Sequence, residues 1–457
     1  MRGACTALAF GGVLAVGLAG TGCDWRVFDD LAKKTPVASI GAPSDYPAKD
    51  QFGSILLAVP PPKDGSSAGR FVALGRTTAS VAVVSFDASG NPKGVGVTGS
   101  AIDLLMGGPI NAIAEVPGER RVVLGAPYTT FGDVLIMELD KPNGDVLYPT
   151  TTFAPQVIDP GFGAGVGAGN IGVGAAPEIV VVSTRVLHVY VDEQTTNHLT
   201  WAPAGAGDPC SIDFSSNLLD RDLVNRAVIV APLLASGTQI AVGAPSAGGV
   251  GHVSIFDVDL TTGVFNCSAT LMATEARFGR AMALVDLDGN GAPDHLLVGA
   301  PPTHAYLYTL PLTTGQAPSA MGTAPTVGDF GAAVAAFNVD KNPGDEMFVG
   351  DPDAPVGGTT NAGNVTVYTG PTMTMLPSKT TFPNPLAEHD PGSGHGYGSG
   401  IVGMTFCPAN VLSPAADGGV ADAGTGATAP CGPLPIIGAL SNVYAYFTLN
   451  PPDPRVK

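Results

Sequence analysis

Three aspartates, an asparagine and two glycines fall within nine residues at Asp286-Leu-Asp288-Gly-Asn290-Gly-Ala-Pro-Asp294. Carboxylates at alternate positions of a tight loop bring their oxygens toward one point, and a hard cation such as Ca²⁺ suits that oxygen set. Gly291, sixth in the loop, permits a backbone turn that a side chain would obstruct. The alternative is an Asx-rich hairpin turn that holds itself together without metal. A shorter copy follows at Asn338-Val-Asp340-Lys-Asn342-Pro-Gly344-Asp345. It is one residue short, begins with Asn and has Pro343 where glycine belongs. Asn338, Asp340, Asn342 and Asp345 are its candidate ligands.

Other chemistry-bearing patterns are weak. Gly65-Ser-Ser67-Ala-Gly69 matches G-x-S-x-G, but a nucleophile elbow needs a strand-to-helix turn and the surroundings predict a hairpin. Gly167-Ala-Gly169-Asn-Ile-Gly172 matches G-x-G-x-x-G, yet a strand follows where a phosphate-binding helix should begin. Among the histidines, His389 and His395 form the one local group and show no ligand spacing. No catalytic residue is assigned, and the chain is not expected to be an enzyme.

The elements that must hold the acidic loop recur. It lies between Phe278-Gly279 and the apolar run ending Val298-Gly299-Ala300-Pro301. Phe-Gly or Tyr-Gly also stands at Phe52, Phe162, Phe330 and Tyr397. Apolar runs comparable to that at Gly299 end at Gly75, Gly125, Ser183, Gly243, Gly350 and Gly438. The runs at Gly125 and Gly243 have no Phe-Gly before them. Each run is followed by a segment of period-two alternation, such as Gly132-Asp-Val-Leu-Ile-Met-Glu-Leu139, and then a more polar one. This repeat resembles the FG-GAP repeat of integrin α-subunit propellers, over roughly residues 50 to 449, with its most specific match in the fifth unit.

The repeat implies an all-β fold: a seven-bladed β-propeller of four-stranded antiparallel blades. By the same resemblance, Asp286, Asp288, Asn290 and Asp294 supply side-chain oxygens to Ca²⁺ and Ala292 its carbonyl, in a loop that braces the blade and does not touch ligand. Extracellular Ca²⁺ modules bind with constants of about 10⁻⁴ to 10⁻³ M, so at about 1 mM calcium such a site adds roughly 0.5 to 1.5 kcal/mol. The last unit lacks an outer strand, and Thr35 to Pro43 offers a spare one. Their pairing would make residues 35–457 one domain and hide a sheet edge.

Residues 1–22 read as a signal peptide of lipoprotein type, and 23–34 as a short linker. The run Leu18-Ala-Gly-Thr-Gly-Cys23 resembles the bacterial motif in which the cysteine is acylated, although Gly20 departs from it. Removing Cys5 with the signal leaves five cysteines. With Cys23 lipidated, the remaining four are expected to pair as Cys407–Cys431 and Cys210–Cys267; buried free thiols are the alternative.

The net charge of −18 argues against nucleic acid or an anionic membrane surface as partner. Membrane association is expected through the lipid anchor only, in a bacterial cell envelope. The functional expectation is a recognition module that binds a protein or glycan ligand through loops on one face. A scaffold subunit of an envelope complex is the alternative, and an enzyme on polysaccharide or lipid the third class.

Overall fold

The computed structural model describes residues 37–42, 52–61, 67–75, 81–87, 91–97, 109–127, 132–139, 147–153, 161–172, 176–191, 198–202, 210, 212, 227–245, 250–275, 277–325, 328–339, 343–375, 381–383, 396–406, 432–439 and 442–446. They form seven antiparallel sheets arranged as the blades of a propeller, with no α-helix among them. Blade five is representative: Ala281–Val285, His295–Ala300, His304–Thr309 and Ala320–Thr323 lie side by side in chain order. Blade six differs at its rim, where two short pieces, Thr374–Met375 and Thr381–Pro383, both pair with Asn364–Thr369. Blade seven takes its fourth strand from the other end of the chain. Val37–Gly41 pairs antiparallel with Asn442–Tyr446, placing Ile40 opposite Val443.

The core is not at the centre of the ring. Buried apolar side chains form seven separate clusters, and each fills the wedge between two neighbouring blades. The second strand of every blade is therefore buried on both faces, which is why these strands read as unbroken apolar runs. Period-two alternation divides the run between two wedges. In blade five, Leu296 and Val298 pack toward blade four while Leu297 packs toward blade six.

The repeated Phe-Gly and Gly-Ala-Pro segments meet between blades, not within one. A Cβ on Gly243, Gly299, Gly350 or Gly438 would overlap the carbonyl of Gly279, Gly331, Gly398 or Gly53 of the next blade; Gly125 stands likewise to Gly163. The Phe-Gly glycines turn back with positive φ, +87° at Gly279 and +93° at Gly331, a region where L side chains are strained. The same turn sends the aromatic ring into the wedge. Phe52, Phe162, Phe278, Phe330 and Tyr397 are all fully buried. Blade seven uses tyrosine, and its hydroxyl shares a 2.6 Å hydrogen bond with the Tyr446 hydroxyl, so the polar atom is satisfied.

Gly299→Ala is expected to force these backbones apart and cost about 1–3 kcal/mol. Gly41→Ala is the control: like Gly299 it lies in a strand without positive φ, but a Cβ there would meet only the Asn442 side-chain oxygen, at 3.6 Å. Urea unfolding of both variants measures the difference, and equal losses would assign the cost to replacing a strand glycine and not to the joint.

Candidate functional site

The acidic loop joins the first and second strands of blade five. Its oxygens turn onto its own backbone. Asp286 Oδ1 accepts from the Gly289 N–H at 2.8 Å and the Asn290 N–H at 3.2 Å, and Asp286 Oδ2 from the Gly291 N–H at 2.6 Å. Asp288 accepts from the backbone and side-chain amides of Asn290, whose own Oδ1 accepts from the Ala292 N–H. Asp294 Oδ1 receives the Leu287 N–H at 2.9 Å and lies 2.8 Å from His295 Nδ1. Burial acts to raise the Asp286 carboxyl, but hydrogen bonds led by the Gly291 N–H outweigh it and hold the group below the usual carboxylate range.

Among the described residues, no three His, Cys, Asp or Glu side chains converge as a metal cluster. The donor set nevertheless has the chemistry a hard cation needs: carboxylate and amide oxygens with no soft ligand among them. Among the described residues no basic side chain pairs with Asp286 or Asp288. A cation would compete with backbone N–H groups for the same oxygens.

The blade-six loop is locked onto this one. The Asp345 N–H donates to the Asp286 carbonyl at 2.7 Å, and Asp345 Oδ2 accepts the Asp286 N–H at 3.0 Å. Gly344, with φ +99°, lies against the Leu287 carbonyl, and Gly289 against Pro343. Burial pushes the Asp345 carboxyl up, and the charges of Asp286 and Asp294 add to the effect. Two loops read from sequence as separate candidates are thus one interlocked structure. Asp340 and Asn342 lie outside the described residues, as do Cys23, Cys407 and Cys431. Cys210 and Cys267 are joined in a disulfide with Cα atoms 5.9 Å apart.

No protein-family model matches this chain, and no curated protein matches it.

Sequence reasoning missed a shared device in the loops between first and second strands. Glu178 Oε2 accepts the Ile171 N–H, Gln239 Oε1 the Leu233 and Leu234 N–H groups, and Glu346 Oε2 the Val339 N–H. Each does in its blade what Asp294 does for Leu287, bonding a loop amide from the start of the second strand. A polar residue opening an otherwise apolar run was the available signal. Gly167 and Gly169 serve packing, since a Cβ on either would meet Val228 or Val230 of blade four. Ser67 donates from Oγ to the Gly69 carbonyl at 2.7 Å and is buried.

Two further features lie near the Phe-Gly end of the ring. An axial cavity is lined by residues of all seven blades, among them Ser54, Asn111, Arg280 and Ser399. Asp351 takes the place that Ala126, Ala244 and Ala300 hold in other blades, and it is fully buried. Its Oδ1 accepts the Asp329 N–H at 2.6 Å, while Oδ2 lies buried with no close hydrogen-bond partner among the described residues. Burial pushes its carboxyl up to about 6; the charges of Asp329 and Asp353 add to this and the Asp329 N–H opposes it.

Because folded Asp351 holds its proton more tightly than the unfolded chain does, its contribution to stability falls as pH rises from about 4 through about 6. Asp351→Asn keeps an oxygen for the Asp329 N–H and removes the charge. The variant is expected to gain about 1–3 kcal/mol at pH 7.5 and little at pH 4. Urea titrations at the two pH values check this, and a gain that is the same at both would exclude Asp351 as the titrating group.

Proposed function

We propose that this protein is a non-catalytic propeller of a bacterial cell envelope, steadied by Ca²⁺, that binds a protein or glycan ligand through loops on one face. The observation that carries the reading is a contrast at the Phe-Gly face. Backbone joints there repeat from blade to blade, while the connections leading into the first strands differ: Met272 to Ala281 is short and Trp201 to Val228 is long. Connections that vary without disturbing a fixed ring are where recognition is built. The resemblance of the repeat to integrin α-subunit propellers supports the same reading.

Export is supported by the Cys210–Cys267 disulfide, since such bonds persist in oxidising compartments. We assign the membrane anchor to a lipid on Cys23. Calcium is assigned to Asp286, Asp288, Asn290, Asp294 and the Ala292 carbonyl. A second ion on Asn338, Asp340, Asn342 and Asp345 would have to draw Asp345 out of its bonds to Asp286, so the blade-five loop is the stronger site. When bound, the ion neutralises repulsion among the loop carboxylates and braces the hairpin.

A glycan array and a pull-down of surface proteins, each run with calcium and with chelator, test the reading. A saturable ligand is expected. Recovery of one stoichiometric partner and no ligand would move the protein to the scaffold class. Asp288→Ala is expected to remove one equivalent of bound calcium with the fold retained, measured by titration calorimetry and circular dichroism. Unchanged stoichiometry would place the ion elsewhere.

A further inference from the structure

At the Phe-Gly end of the wedge between blades five and six, three side-chain oxygens are buried with no close hydrogen-bond partner among the described residues. They are Asp351 Oδ2, Asn364 Oδ1 and Thr366 Oγ1. Asp351 and Thr366 are 0% exposed and Asn364 5%. Strand register brings the three residues together. Asp351 and Asn364 are direct cross-strand partners, so their side chains leave the same face of the sheet. Thr366 stands two residues along from Asn364 and shares that face, the one that Met347 and Val349 turn toward blade five.

The corresponding positions of blade five are Ala300, His304 and Tyr306. There the polar groups can donate, and one carboxylate receives them. Glu275 Oε2 accepts the Tyr306 hydroxyl at 2.5 Å, and Oε1 lies 3.1 Å from His304 Nδ1. Blade six exchanges the alanine for aspartate and the tyrosine for threonine, which adds a carboxylate where a bulky ring is given up. Its carboxylate and amide oxygens are acceptors, and no donor meets them. The charges of Asp329 and Asp353 also reach Asp351, and Arg277 holds Asp329 Oδ1 at 2.5 Å.

Buried polar atoms nearly always have a partner, and a buried carboxylate is costly unless it is paired or binds metal. A carboxylate, an amide oxygen and a hydroxyl, with no nitrogen or sulfur among them, are donors for a hard cation. Mg²⁺ demands near-ideal octahedral geometry, whereas Ca²⁺ accepts the irregular set that one pleated face presents. With a single carboxylate in that set, the affinity belongs to the weak range of about 10⁻⁴ to 10⁻³ M. A proton on Asp351 is the competing occupant.

We infer that Asp351 Oδ2, Asn364 Oδ1 and Thr366 Oγ1 are the protein ligands of a Ca²⁺ site at the joint between blades five and six. Because the Asp329 N–H holds Asp351 Oδ1, an ion on Oδ2 ties the Phe-Gly turn of blade six to its second and third strands. The site lies at the other end of the strands from the Asp286 loop, on the face whose connections vary. It is independent of the recognition reading, and it gives that face a calcium dependence of its own.

Full chain carrying Asp288→Ala, to take the blade-five loop out of the count, is titrated with CaCl₂ and MgCl₂ at pH 7.5. Bound metal is counted by equilibrium dialysis and melting is followed by circular dichroism. One equivalent of Ca²⁺ is expected to remain and to raise the melting temperature, with Mg²⁺ about tenfold weaker. Adding Asp351→Asn should remove both the equivalent and the rise. That change is expected to stabilise the calcium-free chain, so lost binding is not lost folding. Asn364→Asp puts a second carboxylate in the set and is expected to tighten Ca²⁺ about tenfold while lowering stability in chelator. Three groups with a packing role only would show the loss without the gain. Absence of bound Ca²⁺ in the Asp288→Ala chain overturns the site and leaves the proton as its occupant. Ca²⁺ binding that Asp351→Asn does not change, or that Asn364→Asp does not tighten, overturns it as well.

Discussion

Two glycines, one from each of two adjacent blades, make the contact on which the ring depends. At five of the seven joints the glycine that ends one apolar strand faces the carbonyl of the next blade's Phe-Gly glycine, with no room for a Cβ between them. The approach does two things together. It fixes the distance between blades near the axis, and it delivers the aromatic ring of the same dipeptide into the wedge just outside that point. A fully buried phenylalanine contributes about 1.5–3 kcal/mol. The glycine pair is therefore a spacer and the phenylalanine the adhesive.

The wedges explain why the acidic loop has only a local part in stability. Each blade boundary carries its own cluster of buried apolar side chains, whereas the loop of blade five projects beyond the end of the sheet and draws on hydrogen bonds to its own amides. A weakly held Ca²⁺ at millimolar concentration is worth on the order of 1 kcal/mol, less than a single buried phenylalanine. The bonds between Asp345 and Asp286 do something the ion could not do alone. They tie the hairpin of one blade to that of the next, so order in the blade-five loop is shared with blade six.

The repeat was legible in sequence because its physical requirement is severe. Few arrangements need Phe-Gly, then a run buried on both faces, then glycine, at intervals of one blade. That the two motifs serve different blades was not legible, since sequence spacing shows them in one unit and only the ring brings Gly299 to Gly331. Asp345 was read as a ligand of its own loop for a similar reason: its partner, Asp286, lies in another unit. Asn111 carried no signal at all, because nothing in Pro109-Ile-Asn111-Ala marks a position on the axis. The bridge between Cys210 and Cys267 could be anticipated from cysteine parity and from their places outside the apolar runs.

The two boundaries that lack a Phe-Gly segment show how the ring closes without the glycine joint. Blade four has none, and the strand of blade three that would meet it ends in Ser183 where most other blades have glycine. A side chain stands at that position, and Ser183 Oγ accepts the Val186 N–H at 2.9 Å, holding its own turn. The same boundary carries the Cys210–Cys267 disulfide, and Cys210 is buried in the wedge between the two blades. At the boundary of blades one and two, Ile110 occupies the wedge in place of phenylalanine, and the Asn111 N–H bonds the Gly125 carbonyl at 2.8 Å, as the Gly279 N–H does to Gly299. There Arg120 reaches across to the Pro61 carbonyl at 2.8 Å. A covalent link and a charged hydrogen bond thus stand at the two boundaries that lack the Phe-Gly glycine. At the boundary of blades three and four, loss of the dipeptide is matched by loss of its glycine partner at Ser183, whereas at the boundary of blades one and two Gly75 is kept: once one half of the lock is gone, the other position is free to carry a side chain but need not.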